Sequence, residues 1–287
     1  MAVIPQGNPT IGRIDTSMVE AQDGQWHRPH LGASAIGKPC LRALWYSFRW
    51  FKAPEFPGRI LRLFRRGQNE EATVVEDLRR AGVVVSEGPE PGQQWRFSDI
   101  NGHFGGSMDG AVLGLLEAPK TWHVLEIKTH NKKSFNAVEK HGVEKSKPEH
   151  FSQMQVYMHL SEMERACYIA VCKDDDRYYL ERVKYDAPYA GQLLEKAEEI
   201  ICTVEPPEKI SDNPEYYLCK WCDYNRMCHY YSDAEVNCRT CEHSLPEMHN
   251  EHKSEQWLCT KKDKFLTVAN QQSCDNDCEV YSRNQFT

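Results

Sequence analysis

The chain has 287 residues, 40% of them hydrophobic, which is enough for one large buried core and a small appendage. No apolar run approaches the roughly 18 residues that span a bilayer, and no basic-then-apolar signal segment opens the sequence, so we expect a soluble protein of the reducing cytoplasm with no membrane partner. The formal net charge of −7 excludes a uniformly basic surface for nucleic acid but leaves room for a local basic channel.

The chain before residue 34 gives no sign of regular structure. Residues 1–33 mix Gly, Pro and polar side chains without apolar periodicity, so we expect a flexible N-terminal arm. From residue 40 onward, apolar side chains recur at helical spacing, which predicts an amphipathic helix that begins just after Pro39 and carries Cys40 in its first turn. Its apolar positions are Leu41, Leu44, Trp45 and Phe48.

A second helix is predicted over residues 67–80, ending before Gly82. Glu71 precedes the apolar positions of this helix by three, four and seven residues and therefore shares their face, whereas Glu70 points away from it. Those apolar positions are Val74, Val75 and Leu78. A carboxylate on a core-facing side needs a functional reason.

Strands and helices alternate through the middle of the chain. Predicted strands cover residues 83–85, 94–97, 107–113, 123–128, 167–171 and 178–184, and predicted helices cover residues 148–160 and 188–204. This order predicts an α/β core of residues 34–230. Past Cys219 the cysteines crowd together and apolar periodicity fades, so we expect a domain boundary near Tyr231 and a cysteine-rich module of residues 231–287.

The sharpest chemical signal comes from Asp109 and from Glu126 and Lys128 on the next predicted strand. Because strand side chains alternate, Glu126 and Lys128 lie on one face while Leu125 and Ile127 pack the other way. A hard divalent cation needs oxygen ligands, and a nearby amine can orient the attacking water. The set is therefore suited to phosphodiester hydrolysis.

In this interpretation, Asp109 and Glu126 hold Mg²⁺ or Mn²⁺, and the carbonyl of Ile127 adds a ligand. Glu71 reaches in from the second helix, and Lys128 serves the nucleophile. The alternative is a charge ladder on a solvated strand face, which is common for a lone Glu-x-Lys sequence.

The predicted helix of residues 148–160 carries Gln153 and Tyr157 four residues apart, and therefore on one face. Met154 and Met158 occupy a neighbouring stripe that is typical of a core. Alone, Gln153 and Tyr157 could be ordinary side chains of a helix surface.

Together these residues resemble the RecB-like branch of PD-(D/E)XK nucleases, which includes lambda exonuclease, the AddB nuclease domain and the CRISPR-associated four-cysteine exonucleases. The resemblance covers residues 40–228 and implies a restriction-endonuclease-like α/β core, with a mixed central sheet flanked by helices and with DNA as the substrate. It implies that Gln153 and Tyr157 form the QxxxY motif of the branch. The catalytic residues that it implies are Asp109, Glu126, Lys128, Gln153 and Tyr157. Many relatives have a metal-binding histidine on the early helix, where this chain offers Glu71, as lambda exonuclease-like members do.

Cysteines flank this core. Cys219, Cys222 and Cys228 follow it with CxxC-x5-C spacing, and Cys40 stands alone before it. This split resembles the clasp of AddB and of the CRISPR-associated exonucleases, which implies a 4Fe-4S cluster that ties the two ends of the core together. A structural zinc site is the competing interpretation, because four cysteines suit either cofactor.

The remaining cysteines divide into two groups. The tail is too poor in apolar residues to fold unaided, so we expect a structural Zn²⁺, with Cys274 or Cys278 as the fourth ligand and a disordered tail as the alternative. The preferred zinc ligands are Cys238, Cys241, Cys259 and Cys274. The cysteines that are expected to be free core thiols are Cys167, Cys172 and Cys202.

Two basic groups could contact a phosphate backbone, or each could be a solvated face. The first contains Arg59, Arg62, Arg65 and Arg66, and the second contains Lys132, Lys133, Lys140, Lys145 and Lys147. The candidate stacking surfaces are Trp45, Trp50 and Phe135.

The sequence therefore predicts a divalent-metal-dependent deoxyribonuclease, with exonuclease action in DNA recombination, repair or processing. DNA is the expected partner, together with other recombination or replication proteins. The alternatives are a catalytically idle DNA-binding or assembly subunit that keeps the fold, and a nuclease directed at RNA.

Overall fold

The structure is a computed structural model that describes residues 8–22, 27–230, 234–249 and 256–272. Its helices are α1 (Pro9–Glu20), α2 (Leu41–Phe48), α3 (Gly58–Arg80), α4 (Lys132–Ser146), α5 (Pro148–Leu160), α6 (Ala187–Cys202), α7 (Asn225–Tyr230) and α8 (Val268–Gln272). Its strands are β1 (Leu31–Gly32), β2 (Val84–Ser86), β3 (Arg96–Asp99), β4 (Phe104–Ser107), β5 (Gly110–Leu113), β6 (His123–His130), β7 (Arg165–Cys172), β8 (Tyr178–Lys184), β9 (Ser244–Pro246), β10 (Trp257–Cys259) and β11 (Lys264–Leu266).

The main sheet has five strands in the order β2-β5-β6-β7-β8. Strand β6 is central, pairs in parallel with β7 and pairs antiparallel with β5. The fold is therefore a mixed α/β architecture, as the alternation of elements in the sequence predicted. Among the described residues, no helix is long and apolar enough to cross a membrane.

The two faces of β6 belong to different hydrophobic clusters. Leu125 and Ile127 pack with Val74 and Val75 of α3, whereas Val124 belongs to the larger cluster that includes side chains of α4 and α5. Helices therefore cover the central strand on both faces, and its side chains alternate between two buried layers.

Several predicted elements are confirmed with small changes at their ends. Helix α5 and strand β8 have the predicted bounds, and α6 begins and ends within two residues of its prediction. Cys40 is the N-cap residue of α2 and lies just before its first turn. Helix α3 begins at Gly58, well before the predicted residue 67. Its arginine-rich first half was not predicted because it has buried residues only at Gly58 and Leu61 and therefore little apolar periodicity.

Four helices were not predicted, namely α1, α4 and the short α7 and α8. Helix α1 lies in the segment expected to be a flexible arm, and none of its residues is buried. Helix α4 follows β6 and buries Phe135, Val138 and Val143. Its backbone is non-helical at Gly142, where φ is 77°, so the apolar spacing changes within the helix and weakens the helical pattern.

The predicted strand of residues 107–113 is two strands. Strand β4 pairs with β1 and β3 in a small three-stranded sheet, and β5 joins the main sheet. Met108 and Asp109 lie where the chain passes from one sheet to the other.

Residues beyond the predicted boundary contact the start of the core. Trp257 is fully buried beside Phe48, with ring centroids 5.3 Å apart. The buried Arg239 guanidinium stacks 3.8 Å from the centre of the Trp50 ring and donates to the carbonyls of Phe48 and Pro29. Tyr231 itself lies outside the described residues, and the boundary there stays a prediction.

Candidate active site

The position of Asp109 is fixed by a hydrogen bond from the backbone of β6. The β5–β6 ladder ends at the Gly110–Leu125 pair, and beyond it the backbone amide of Ile127 donates to Asp109 Oδ2 at 2.8 Å. The side chain thus takes the place of a strand partner, and its orientation is set by the backbone of β6. With 15% of its side chain exposed, Asp109 faces a partly solvated site.

Glu126 and Lys128 lie on the same face of β6, as strand alternation predicted. Glu126 is 0% exposed and its Oε1 contacts Lys128 Nζ. Lys128 Nζ also lies 3.8 Å from Asp109 Oδ2 and donates to the Ile127 carbonyl at 3.2 Å. The charge-ladder interpretation is therefore wrong, because these charges are buried together.

Negative charge exceeds positive charge in this cluster. Burial raises the pKa of Glu126, and the carboxylates of Asp109 and Glu71 raise it further against the opposing effect of Lys128. Burial alone would lower the pKa of Lys128, but the three carboxylates outweigh burial and raise it. Lys128 therefore stays charged, while Glu126 Oε2 is buried without a hydrogen-bond partner among the described residues.

Glu71 reaches the cluster from α3. Burial, then the charge of Asp109, raises its pKa to about 7. The inward orientation that the sequence predicted for Glu71 agrees with this placement. Glu70 is also half-buried, and it lies within electrostatic range of the Tyr178 hydroxyl.

Gln153 and Tyr157 are buried in α5 beside the cluster, so they are not ordinary surface side chains. The Tyr157 hydroxyl donates to the carbonyl of Ser107 at 2.7 Å, and burial raises its pKa. A Cβ atom on Gly106 would lie 2.7 Å from that hydroxyl, so the close approach of Tyr157 to β4 requires glycine there. Tyr157 thereby fixes the chain two residues before Asp109. Met154 and Met158 are core residues, as predicted.

The sequence patterns did not predict a hydrogen-bonded group of three side chains next to Lys128. The Tyr168 hydroxyl bonds to His130 Nε2 at 2.8 Å and to His150 Nδ1 at 2.9 Å. Alternation along β6 places His130 on the face of Glu126 and Lys128, so the two-residue periodicity of strand side chains could have predicted its position. Burial, then the positive charge of nearby lysines, lowers the pKa of His130 to about 4 and that of His150 to about 3. Both rings are neutral at pH 7.

The donor types fit a hard divalent cation. The site offers carboxylate oxygens, including the unpartnered Glu126 Oε2, and the nearby Ile127 carbonyl. Among the described residues, however, no three His, Cys, Asp or Glu side chains already surround one point closely enough to hold a metal. A bound ion would have to draw the carboxylates together.

The cysteines of the predicted clasp lie in one neighbourhood. Burial raises the pKa of Cys219, Cys222 and Cys228, and the electrostatic effect of Cys40 acts in the same direction on each. All four are free thiols, and like the carboxylates they do not already surround one point. Cys40 therefore lies within electrostatic range of the three later cysteines, and the soft sulfur donors suit either an iron–sulfur cluster or zinc.

The tail cysteines are less clearly assembled. The Cys238 thiol donates to the carbonyl of Asn270 at 3.3 Å, Cys241 is buried near Arg49, and Cys259 ends β10. These three do not form a group that could hold a metal in the described part of the chain. The expected fourth ligand, Cys274, and its alternative, Cys278, lie outside the described residues. The zinc site stays a prediction.

Other sequence-based expectations need correction. Trp45, Trp50 and Phe135 are 0% exposed, so they cannot stack on nucleic-acid bases. Cys167 and Cys172 are buried thiols as predicted, but Cys202 is exposed. In the basic groups, Arg62 pairs with Asp15 of α1, Arg66 donates to the Lys173 carbonyl and Lys132 pairs with Asp175.

Comparison with known proteins finds similar solved structures but no similar sequence. No protein-family model and no curated protein matches the chain. The chain is similar in structure to an alkaline exonuclease. That protein, LHK-Exo from Laribacter hongkongensis, matches with a TM-score of 0.42 and 18% identity over 64% of this chain and 90% of that chain. Its complex with dAMP matches with a TM-score of 0.44 and 17% identity over 66% and 90%. SSO0001 matches with a TM-score of 0.44 and 16% identity over 78% and 98%.

Proposed function

We propose that this chain is a divalent-metal-dependent deoxyribonuclease that hydrolyses phosphodiester bonds at the cluster of Asp109, Glu126 and Lys128. The observation that carries the proposal is Glu126, which is 0% exposed, has an unpartnered Oε2 and shares its surroundings with two further carboxylates and a single lysine. A core tolerates such an excess of negative charge poorly. A bound divalent cation would compensate this excess of negative charge and would explain why the carboxylates lie together.

In this proposal, Asp109, Glu126 and the Ile127 carbonyl hold Mg²⁺ or Mn²⁺, and Glu71 supports them from α3. The bound ion would supply a Lewis acid that activates water and offsets the charge of the phosphate. Lys128 keeps its proton and places a positive charge beside the attacked group. Gln153 and Tyr157 are positioning residues in this account, because Tyr157 holds the backbone that leads into Asp109.

The substrate class that we propose is DNA, cleaved by exonuclease action during recombination, repair or processing, with recombination or replication proteins as further partners. The basic side chains around the site support a phosphate-bearing polymer as substrate. The alternative, an idle DNA-binding subunit, has the same fold and differs in turnover alone.

We further propose that Cys40, Cys219, Cys222 and Cys228 hold a 4Fe-4S cluster that joins α2 to α7. The proximity of the four thiols supports this proposal. Anaerobically purified protein should then be brown and contain iron, and Cys40→Ser should lose both the colour and stability. Zinc without iron would assign a structural zinc site instead. Elemental analysis also tests the predicted zinc of the tail.

The decisive experiment is cleavage of linear and circular DNA by the purified protein, with Mn²⁺, with Mg²⁺ and with neither. Asp109→Ala and Glu126→Gln should abolish cleavage, and Lys128→Ala should slow it by about 10²- to 10⁴-fold while DNA binding persists. Glu76→Ala is the matched control, because Glu76 is an exposed carboxylate of α3 paired with Arg80. Binding without metal-dependent cleavage by the wild type would identify the idle subunit, and cleavage of RNA alone would redirect the substrate.

A further inference from the structure

Arg42 is a buried arginine near the start of α2, two residues after Cys40, with 7% of its surface exposed. Its guanidinium donates from Nε to the carbonyl of Pro207 and from Nη2 to the carbonyl of Pro206 at 3.5 Å. These bonds tie α2 to the segment between α6 and Cys219. In the described part of the chain, no ion pair joins Arg42 to a carboxylate. A buried cation of this kind needs compensation from another group.

The Cys228 thiol of α7 lies beside this guanidinium. Burial raises the pKa of the Cys228 thiol, and the charge of Arg42 is the largest opposing effect, with a hydrogen bond from Arg42 acting in the same direction. The Tyr46 hydroxyl, one turn after Arg42 on α2, interacts with both groups. A neutral thiol does not compensate a buried cation, whereas a thiolate does. The surroundings of Cys228 are therefore suited to a thiolate.

A second cation approaches the cysteines from α6. Lys196 Nζ donates to the carbonyl of Ile36 at 2.7 Å and to that of Lys38 at 2.6 Å, in the segment that leads into Cys40. Burial lowers the pKa of Lys196, and the charge of Cys40 acts in the opposite direction. Two of the four cysteines of the predicted clasp therefore have a positively charged side chain in their surroundings.

Positive charge at this position has a chemical consequence for a metal centre. Four thiolates leave a net negative charge on a centre of either kind, zinc or 4Fe-4S, and reduction of a cluster by one electron adds to that charge. The reduction potential of a cluster depends on its net charge and on hydrogen bonds to its sulfur atoms. A guanidinium beside one of the thiolates therefore stabilises the reduced state more than the oxidised state.

We propose that Arg42 is a positioning residue of the four-cysteine site, which compensates the negative charge at the Cys228 sulfur and raises the reduction potential of a cluster held there. The inference rests on the proposed cofactor and is independent of the proposed nuclease activity. Through its hydrogen bonds to Pro206 and Pro207, the same guanidinium holds the segment that leads to Cys219 against α2. One side chain thus serves both the geometry and the charge of the site.

The test is a redox titration of the anaerobically purified full-length protein with dithionite, followed by electron paramagnetic resonance of the reduced cluster. Arg42→Met should shift the one-electron equilibrium about tenfold toward the oxidised form, which corresponds to a midpoint potential lower by about 59 mV. Arg42→Lys keeps the charge but loses the planar fork of donors. This variant should therefore recover most of the potential, while a chelator removes iron from it faster than from the wild type.

Two other arginine variants serve as controls. Arg80→Met removes an exposed arginine of α3 and should change neither the potential nor the loss of iron. Arg239→Met removes a buried arginine that donates to the carbonyls of Phe48 and Pro29, so it should destabilise the protein without a change in potential. A purely structural role of Arg42 would have that same effect. An unshifted potential in Arg42→Met would therefore overturn the proposal, even if the protein holds a cluster and cleaves DNA.

Zinc release gives the corresponding readout if the site holds zinc instead of iron. A chromogenic chelator should remove zinc from Arg42→Met at least about tenfold faster than from the wild type or Arg80→Met, because the bound thiolates lose the charge that stabilises them against protonation. Equal rates would overturn the proposal. Arg42→Gln, which keeps a hydrogen-bond donor without the charge, replaces Arg42→Met in both measurements if the latter does not fold. A metal content that Cys40→Ser leaves unchanged would refute the cofactor and this inference together, whereas the nuclease is judged by cleavage alone.

Discussion

Removing Lys128 should destabilise the folded protein by an amount that depends on pH. Glu126 is 0% exposed and Lys128 is the cation that it contacts, so Lys128→Ala leaves a buried carboxylate without its partner. Breaking a buried ion pair from one side costs about 3 to 5 kcal/mol. Since 27% of the Lys128 side chain is exposed, we expect the lower end, about 3 kcal/mol, when Glu126 is ionised.

The sign of the pH dependence follows from the raised pKa of Glu126. A carboxyl group whose pKa is higher in the folded state loses stability as pH rises from its unfolded pKa through its folded pKa. Without Lys128 the pKa of Glu126 in the folded state rises further. The stability of the variant therefore continues to fall at pH values where the stability of the wild type no longer changes. The difference between the two proteins should therefore be small near about pH 6 and largest near about pH 9.

Urea denaturation in EDTA at both pH values measures this difference, with the exposed Lys140→Ala as control. The double variant Lys128→Ala/Glu126→Gln removes both charges and should recover most of the lost stability, giving a coupling free energy of about 2 kcal/mol or more. Equal destabilisation in the single and double variants, or a loss that does not change with pH, would refute the interpretation of the cluster as a buried ion pair.

Further predictions concern the surroundings of this pair. Tyr157→Phe should lower the free energy of unfolding by about 1 to 2 kcal/mol, because the Ser107 carbonyl loses its donor, whereas the control Tyr185→Phe should change it by less than about 0.5 kcal/mol in the same urea titration. Arg239→Met should cost about 3 kcal/mol, since it breaks the hydrogen bonds to Phe48 and Pro29 and the stacking on Trp50; an unchanged urea midpoint would contradict that role. Mn²⁺ affinity, measured by calorimetry, should fall at least about tenfold from about pH 8 to about pH 6, because Glu71, with a pKa of about 7, and Glu126 must lose protons before they bind metal. Affinity that is independent of pH would exclude these carboxylates as ligands.

The parts of the site that the sequence predicted depend on local geometry. Alternation along a strand places Glu126 and Lys128 together, and helical spacing turns Glu71 toward the core, so neither inference needs tertiary structure. The break between β4 and β5 could not be predicted in this way, because it depends on Asp109 replacing a strand partner of Ile127. The pattern of apolar and polar residues alone does not indicate a hydrogen bond between a side chain and the backbone of another strand.

The sequence did not predict that Lys147 and Lys173 line one pocket beside β6. These lysines are far apart in sequence: Lys147 directly precedes α5, whereas Lys173 follows β7, which ends beside β6. Trp45 and Trp50 were misjudged as stacking surfaces because part of their covering comes from distant segments: Arg239 lies over the Trp50 ring, and the Trp45 indole donates to the carbonyl of Thr203. Aromatic residues near basic residues have the same pattern in a core and on a binding surface.

The packing of Arg239 has a consequence for the order of folding. Its contacts with Phe48 and Pro29 span 191 and 210 positions of the chain. Contacts of such long range form late, because a large loop must close before they stabilise anything. During synthesis, Phe48 and Trp50 therefore emerge from the ribosome long before the residues that cover them. Until Arg239 and Trp257 arrive, the first helix of the core exposes an aromatic surface to chaperones and to other nascent chains.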